Sequence, residues 1–287
     1  SVRTHTLAVK CRRPGDLATR ADLCPIYMPQ DPKLRILVIG DSHSYAILPA
    51  FAEIGKENAV YHFGVGSCPP INHTSIQRGV FDIGVCEDVT RRQMQAVRDG
   101  HYDVVVMVAR WSLYPGWDDA GTARSFALSP EGDPYFPSLA ASRETFASHV
   151  PATVKDYLDL GVAVVVIQQM PEQQVLPQKI LQQAALLGIG SGLSDEQFEA
   201  AIFETSTPIE AAEKRLAFAE GVLEKLRGDR VWVLSLEDAF KRNGRYIWGD
   251  RNGSYYMDRD HISAYGATFL APAMTAAFAD IEDSLRS

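Results

Sequence analysis

Five short aliphatic runs recur along the 287-residue chain and limit the folds that it can adopt. The runs are mostly apolar rather than alternating, which is typical of parallel strands that helices cover on both faces. The stretches between them have helical features, such as the capping-box pattern with proline that begins at Thr207 and Pro208. This alternation predicts a three-layer α/β/α domain of flavodoxin-like type. Its central parallel sheet would have about five strands, over residues 35–39, 59–63, 104–108, 162–167 and 231–234.

The remaining segments are assigned around this sheet. Residues 1–33 lack a regular pattern and are interpreted as an irregular N-terminal extension that a disulfide clips, followed by one catalytic domain over residues 34–287. Residues 172–203 are interpreted as a helical insertion. No apolar run reaches the roughly 20 residues that span a bilayer. The chain begins at Ser1 rather than Met, so we expect a trimmed piece of a longer protein.

Charge and cysteine content restrict partners and compartment. The 28 Lys and Arg against 36 Asp and Glu give a net charge of −8, which argues against a nucleic-acid partner. Four buried free thiols are one interpretation of the four cysteines. Their even number and local spacing favour two disulfides and an oxidising compartment, with pairs Cys11–Cys24 and Cys68–Cys86. The spacing matches no zinc site, and we expect neither a metal nor a cofactor.

A turn of small and polar residues ends the first aliphatic run. The sequence continues from Ile39 into Gly40-Asp41-Ser42-His43. Open parallel sheets bind ligands beyond the carboxyl ends of their strands, so Ser42 is placed where a nucleophile is useful. The alternative is that Asp41 and Ser42 only cap the next helix.

A serine nucleophile needs a base, and the base needs a third group that orients it. Near the C-terminus the chain reads "YYMDRDHISAYGA", in which Asp258 lies three residues before His261. Positions i and i+3 face the same way on a turn, so Asp258 is predicted to contact the imidazole while Asp260 points elsewhere. The alternative is a charged surface turn. His43 and His62 lack a carboxylate at useful spacing and are interpreted as packed or hydrogen-bonded.

These blocks together resemble the SGNH (GDSL-type) hydrolase superfamily. "GDSHSY", "VGSCPPI" and "YMDRDHIS" are most similar to the SGNH domains attached to membrane acyltransferases of the acyltransferase-3 family, which O-acetylate bacterial polysaccharides. The resemblance extends from residue 34 to residue 278. It implies the SGNH-hydrolase fold and a Ser-His-Asp triad.

The resemblance also assigns roles to individual residues. Ser42 would be the nucleophile, His261 the general acid and base, and Asp258 the orienting carboxylate. The oxyanion hole would use the backbone N–H of Ser42 and the backbone around Gly66. The superfamily's usual asparagine donor is missing, and Arg110 stands at that strand end, either as a replacement donor or as a surface cation.

The implied function is a periplasmic serine-dependent O-acyl(acetyl)transferase that modifies cell-surface polysaccharide such as O-antigen. Its partners would be a glycan acceptor, an acyl donor and a membrane acyltransferase domain in the same or a partner chain. A free-standing carbohydrate acetylesterase and a non-catalytic glycan-binding domain are the alternatives. Aromatic residues after the third strand suit either sugar binding or, more commonly, core packing: Trp111, Tyr114, Trp117, Tyr135 and Phe136.

Overall fold

A mostly parallel sheet of six strands forms the centre of the computed structural model, which describes residues 23–76, 84–116, 126–133, 138–180 and 194–286. The spatial order is β1-β3-β2-β4-β5-β6, and strands β2 to β6 are parallel. The predicted fold class is therefore confirmed. The strands are β1 (Cys24–Tyr27), β2 (Arg35–Gly40), β3 (Ala59–Gly64), β4 (Val104–Val108), β5 (Ala163–Ile167) and β6 (Val231–Leu234).

The edge strand β1 lies inside the segment that was expected to be irregular. It pairs antiparallel with β3. Cys24 and Ile26 are buried, whereas Pro25 between them is exposed, which is the alternation of a half-covered edge strand. Proline is tolerated there because an edge strand does not need every N–H for pairing. Four residues with a central proline are too weak a strand pattern to recognise in a sequence.

Helices cover both faces of the sheet, so that residues on both sides of its central strands are buried. On β2, Ile36 and Val38 pack on one face and Leu37 and Ile39 on the other, and all four are fully buried. The first face packs against the C-terminal helix and the second against the helices that follow β3 and β4. The helices are α1 (Ser42–Ala46), α2 (Val85–Gly100), α3 (Leu139–Asp159), α4 (Asp195–Thr205), α5 (Ile209–Leu223) and α6 (Ala264–Arg286).

Shorter elements complete the described part of the chain. The helix predicted at Pro208 begins one residue later, and no side chain caps it, so the capping-box prediction there is wrong. Thr207 instead pairs with Tyr246, and its hydroxyl accepts the N–H of Gln174. The short strands are Thr74–Ile76, Leu128–Pro130, Thr207–Pro208, Lys241–Arg242, Arg245–Tyr246, Gly249–Asp250 and Gly253–Ser254; the 3₁₀ turns are Leu48–Phe51, Ile54–Lys56, Glu224–Leu226 and Glu237–Phe240.

Two expected features fall partly outside the described residues. Helix α4 lies at the end of the insertion expected over 172–203, but residues 181–193 are outside the described ranges. Cys68 and Cys86 are joined by a disulfide. Cys11 also lies outside the described residues, so its bridge to Cys24 stays a prediction. None of the described helices combines the length and the apolar character needed to cross a membrane.

The strand order places a crevice at the carboxyl end of β2. The chain runs from β2 to β3 on one side of it and then crosses back to β4 on the other side, and such switch points bind ligands. Two glycines allow the backbones to approach there. A Cβ on Gly40 would lie 1.7 Å from the carbonyl oxygen of Val108, and one on Gly64 would lie 2.4 Å from the hydroxyl of Ser44. The chain can therefore turn directly from β2 into α1.

Candidate active site

Asp41 holds the turn that presents Ser42. Its Oδ1 accepts the N–H of His43 at 2.8 Å and caps α1. Its Oδ2 accepts the N–H of Arg110 at 2.9 Å and the hydroxyl of Tyr114 at 2.5 Å. Because the Asp41 carboxylate is buried with three donors, it joins the turn after β2 to the loop after β4. Ser42, the first residue of α1, is only partly buried, whereas Asp41 before it and His43 after it are buried.

Ser42, His261 and Asp258 form a continuous chain of hydrogen bonds. The Nε2 atom of His261 lies 2.7 Å from the Ser42 hydroxyl oxygen, and its Nδ1 lies 2.8 Å from Asp258 Oδ2. The other oxygen of Asp258 accepts the main-chain N–H groups of Asp260 and His261 at 2.9 and 2.7 Å. The structure thus brings together the three residues predicted as a triad, and Asp258 makes the shorter contact with the ring.

Electrostatics favour a positively charged His261. The hydrogen bond from Asp258 raises the pKa of His261, and the nearby carboxylates add to this effect against the opposing effect of burial. Burial opposes ionisation of Asp258, but the hydrogen bonds from His261 and from two main-chain N–H groups hold its pKa well below the usual range. An imidazolium that forms when His261 takes the Ser42 proton would therefore be stabilised in place.

Asp260 also lies in the site, which corrects the prediction that it points elsewhere. Its Oδ2 is 3.3 Å from His43 Nε2, 3.5 Å from Arg110 Nη1 and 3.6 Å from His261 Nδ1. Burial opposes its ionisation, but the hydrogen bond from His43 and the charge of Arg110 lower its pKa. The side chain reaches the cluster because the residues from Asp258 to His261 form a tight turn around Asp258, which leaves the Asp260 carboxylate on the inner side.

His43 packs directly on the imidazole of His261. The two ring centroids are 4.5 Å apart with an interplanar angle of 32°. His43 is buried, and Asp260, which is 217 residues away in sequence, supplies its carboxylate. His43 is therefore hydrogen-bonded, as expected, but by a partner that local spacing could not identify.

Three of these residues have the types and spacing of metal ligands. Potential ligand atoms of His43, Asp260 and His261 lie within 4.8 Å of one another. Both ring nitrogens of His261 already contact Ser42 and Asp258. Hydrogen bonding thus accounts for the cluster, and a metal bound to His261 would have to break its contact with either Asp258 or Ser42.

Glu172 is a residue of this site that the sequence reasoning missed. It follows β5 in the segment "QQMPEQQ", again at a carboxyl strand end. Its carboxylate is buried and accepts Arg110 Nε and Arg215 Nη1, both at 2.7 Å. Burial opposes its ionisation, but the two guanidinium hydrogen bonds hold the pKa of Glu172 below its ordinary value. The position directly after a parallel strand was the available signal.

Of the residues expected in the oxyanion hole, Gly66 lies close to Ser42, whereas the main-chain N–H of Arg110 is already hydrogen-bonded. A Cβ on Gly66 would lie 4.0 Å from Ser42 Cβ, so the Gly66 backbone lies next to the serine. The nearby disulfide between Cys68 and Cys86 ties this segment to α2. The main-chain N–H of Arg110 is already bound by Asp41, so Arg110 could offer an oxyanion only its guanidinium.

A second serine–histidine pair lies close by but is fully buried. The Ser44 hydroxyl oxygen is 2.8 Å from His62 Nε2, and both residues are at most 1% exposed. The hydroxyl hydrogen of Ser44 goes to the carbonyl of Asp41 at 2.7 Å. Since a hydroxyl has one hydrogen, His62 must donate in this pair, and it cannot act as a base toward Ser44.

The described aromatic residues of the loop after β4 belong to the core. Trp111 and Tyr114 are fully buried, and the Trp111 indole donates to the carbonyl of Ile167 at 2.7 Å. The core-packing alternative is therefore the right one for both. Trp117, Tyr135 and Phe136 lie outside the described residues.

A flavodoxin-like sheet with a serine, histidine and aspartate in contact at its switch point is typical of the SGNH class of hydrolase domains. The chain belongs to the family described as "SGNH domain (fused to AT3 domains)", whose model matches residues 10–276. The family predicted from the motifs is thereby confirmed. No curated protein matches the sequence.

Solved structures that the chain resembles include an acetyltransferase domain and an acetylxylan esterase. The periplasmic domain of the lipopolysaccharide acetyltransferase from Salmonella ser. Paratyphi A has a TM-score of 0.57 at 13% identity, covering 87% of this chain and 85% of that one. An acetylxylan esterase from Geobacillus stearothermophilus has a TM-score of 0.44 at 11% identity, covering 86% and 94%. At these identities the first likeness shows the shared fold, and the second carries no argument.

Proposed function

We propose that this chain is the extracytoplasmic domain of a serine-dependent O-acetyltransferase that modifies cell-surface polysaccharide. The observation that carries the proposal is the chain of contacts from Ser42 through His261 to Asp258, at 2.7 and 2.8 Å. A hydroxyl next to an imidazole that a carboxylate orients is the arrangement that activates serine for acyl transfer.

The first half-reaction forms an acyl-enzyme. Ser42 Oγ attacks the carbonyl carbon of the acyl donor while His261 Nε2 takes its proton. The oxyanion that forms is held by the N–H of Ser42, the backbone at Gly66 and the guanidinium of Arg110. The bond to the leaving group then breaks, and His261 returns the proton to that group.

The second half-reaction uses a sugar hydroxyl in place of the leaving group. His261 removes the proton of this hydroxyl as its oxygen attacks the acyl carbonyl, and the Ser42–acyl bond breaks. Ser42 recovers its proton from His261. The sugar leaves as an ester, and the enzyme returns to its starting state.

Two observations support the compartment and the partner. A disulfide between Cys68 and Cys86 is expected of a protein in an oxidising compartment such as the periplasm. The family is described by its fusion to AT3 domains, which supports a membrane acyltransferase domain, in this protein or in a partner, that delivers the acyl group.

The test is an assay with a chromogenic acetyl ester, with and without glycan acceptors. We expect slow release of the chromophore that a suitable glycan accelerates, with an added acetyl mass on that glycan. Ser42→Ala should abolish both signals without changing the thermal midpoint. Turnover that no glycan accelerates would favour the esterase instead. No turnover by the wild type, together with saturable glycan binding, would favour a non-catalytic binding domain.

A further inference from the structure

A pocket that contains none of the triad residues lies where the loop after β4 meets α3 and α5. Its volume is about 150 Å³, several times the roughly 30 Å³ that one water molecule occupies in the liquid. It has space for a small group of several heavy atoms. The residues that line it include Ser112, Pro115, Arg143, Lys214, Arg215 and Phe218.

Three cations line this pocket in a protein of net charge −8. The Arg143 guanidinium lies over the Phe218 ring at 5.0 Å, and Arg215 is paired with Glu172. Among the residues that the structure describes, neither Arg143 nor Lys214 forms an ion pair with an acid. Two of the three cations at the pocket thus lack an acidic partner among the described residues, and only Arg215 has one.

Two buried polar atoms at the pocket also lack partners. Arg143 Nε and Ser112 Oγ make no hydrogen bond within the described part of the chain, and Ser112 is only 1% exposed. The main chain of Ser112 is fixed, because its N–H donates to Gln169 at 2.8 Å. A buried polar group without a partner is unfavourable, and native proteins satisfy nearly all of them. A ligand oxygen within hydrogen-bond distance of either atom would remove this cost.

A continuous series of polar contacts joins this pocket to the triad. Arg215 donates to Glu172 at 2.7 Å, and Glu172 accepts Arg110 at 2.7 Å. Arg110 lies 3.5 Å from Asp260, which lies 3.6 Å from His261 Nδ1. The pocket and the triad are therefore connected through the side chains of Glu172, Arg110 and Asp260.

We propose that this pocket binds an oxyanion group, a carboxylate or a phosphate, carried by the acceptor glycan. Arg143 and Lys214 supply charge, Ser112 and the Arg143 Nε–H supply donors, and Arg215 closes the side toward Glu172. Charge-assisted hydrogen bonds from guanidinium and ammonium groups are the usual means of holding such anions. The glycan as carrier rests on the proposed function, whereas the anion site itself does not.

The test is calorimetric titration of the whole chain at low ionic strength, since salt screens exposed charges. The probes are inorganic phosphate and glucuronate, with glucose as the neutral control for glucuronate. We expect saturable binding of at least one anion and none of glucose. The preferred anion identifies the group. Absence of saturable binding of both anions would overturn the proposal.

Matched variants locate the site. Arg143→Gln and Lys214→Gln should each weaken anion binding about tenfold, which is the value of one charge-assisted hydrogen bond. Lys155→Gln, another exposed cation on α3, should bind like the wild type. Equal weakening in all three variants would indicate nonspecific attraction and refute the site.

Measuring ester turnover distinguishes a failure of the pocket proposal from a failure of the proposed function. Arg143→Gln should cleave a small neutral acetyl ester at the wild-type rate, because that substrate reaches only the triad. If anions fail to bind while the ester is still cleaved, the pocket proposal alone is wrong. If anions bind while Ser42→Ala loses no ester turnover, the proposed function alone is wrong.

Discussion

Replacing Asp258 with asparagine tests which of two neighbouring carboxylates orients His261. Asp258 Oδ2 lies 2.8 Å from His261 Nδ1, whereas Asp260 Oδ2 lies 3.6 Å from the same atom. In Asp258→Asn the Oδ1 position could still accept the two main-chain N–H groups that hold the turn. The turn should therefore persist while the group that faces Nδ1 changes from an acceptor to an amide donor.

This change reverses the tautomer of the imidazole. An amide donor at Nδ1 leaves the ring hydrogen on Nε2, which then cannot take the Ser42 proton. In a Ser-His-Asp enzyme the equivalent change lowers kcat about 10⁴-fold, or about 5 kcal/mol in the barrier. Asp260→Asn is the matched control: it keeps the 2.8 Å contact and removes longer contacts of 3.3–3.6 Å. We expect it to cost only about tenfold.

The assay is hydrolysis of a chromogenic acetyl ester as a function of pH. Turnover needs neutral His261, so the wild-type rate should rise with pH through a value above the ordinary 6.5, because Asp258 raises the pKa of His261. The residual activity of Asp258→Asn should rise at lower pH than in the wild type. A larger loss in Asp260→Asn than in Asp258→Asn would refute this assignment and make Asp260 the orienting group.

Three further predictions concern the surroundings of the triad. Arg110→Ala should lower ester turnover about tenfold or more, because the variant removes a candidate oxyanion donor. It should also lower the thermal midpoint, because the buried Glu172 then keeps only Arg215 as its ionic partner; unchanged turnover of the folded variant would reduce Arg110 to a structural cation. Replacing Cys68 and Cys86 with serine should lower the free energy of unfolding by about 3 kcal/mol in urea, since the bridge closes a loop of 18 residues; equal stability would show that the bridge constrains little. Burial, with help from neighbouring acids, raises the pKa of Glu220 from 4.5 to about 7. The folded state therefore binds this proton more tightly than the unfolded state does, and it loses stability as the pH rises from 4.5 to about 7. Glu220→Gln should therefore stabilise the protein by about 1–2 kcal/mol more at pH 8 than at pH 5, after allowance for solvent screening.

The sequence predicts the sheet well because its strands are covered on both faces. Each of the five aliphatic runs is a strand of the parallel sheet, with ends that differ by at most one residue. A run such as 104–108, which is buried at every position, has no competing interpretation as an exposed helix. The edge strand β1 is not predicted because it pairs with a neighbour on one edge only and its proline interrupts the apolar pattern.

Sequence spacing predicts only those site residues that lie close together in the chain or at the end of a predicted strand. Asp258 and His261 are three residues apart, and the position of Ser42 follows from the strand end. The contact between His43 and Asp260 joins residues 217 positions apart, so it depends on tertiary folding. The position of Glu172 after β5 could have identified it as a site residue, because Ser42 and Arg110 were both identified at the ends of other strands.

The most direct test of the central claim is labelling by a serine-reactive phosphonate followed by peptide mapping. Ser42 contacts an imidazole acceptor and is only partly buried, whereas Ser44 is fully buried and its hydroxyl hydrogen is bound to the carbonyl of Asp41. We predict one phosphonate adduct, on Ser42, in the native wild type and none in His261→Ala or in the urea-unfolded chain. An unlabelled native protein, or an adduct on Ser44 in place of Ser42, would contradict the claim that Ser42 is an activated nucleophile.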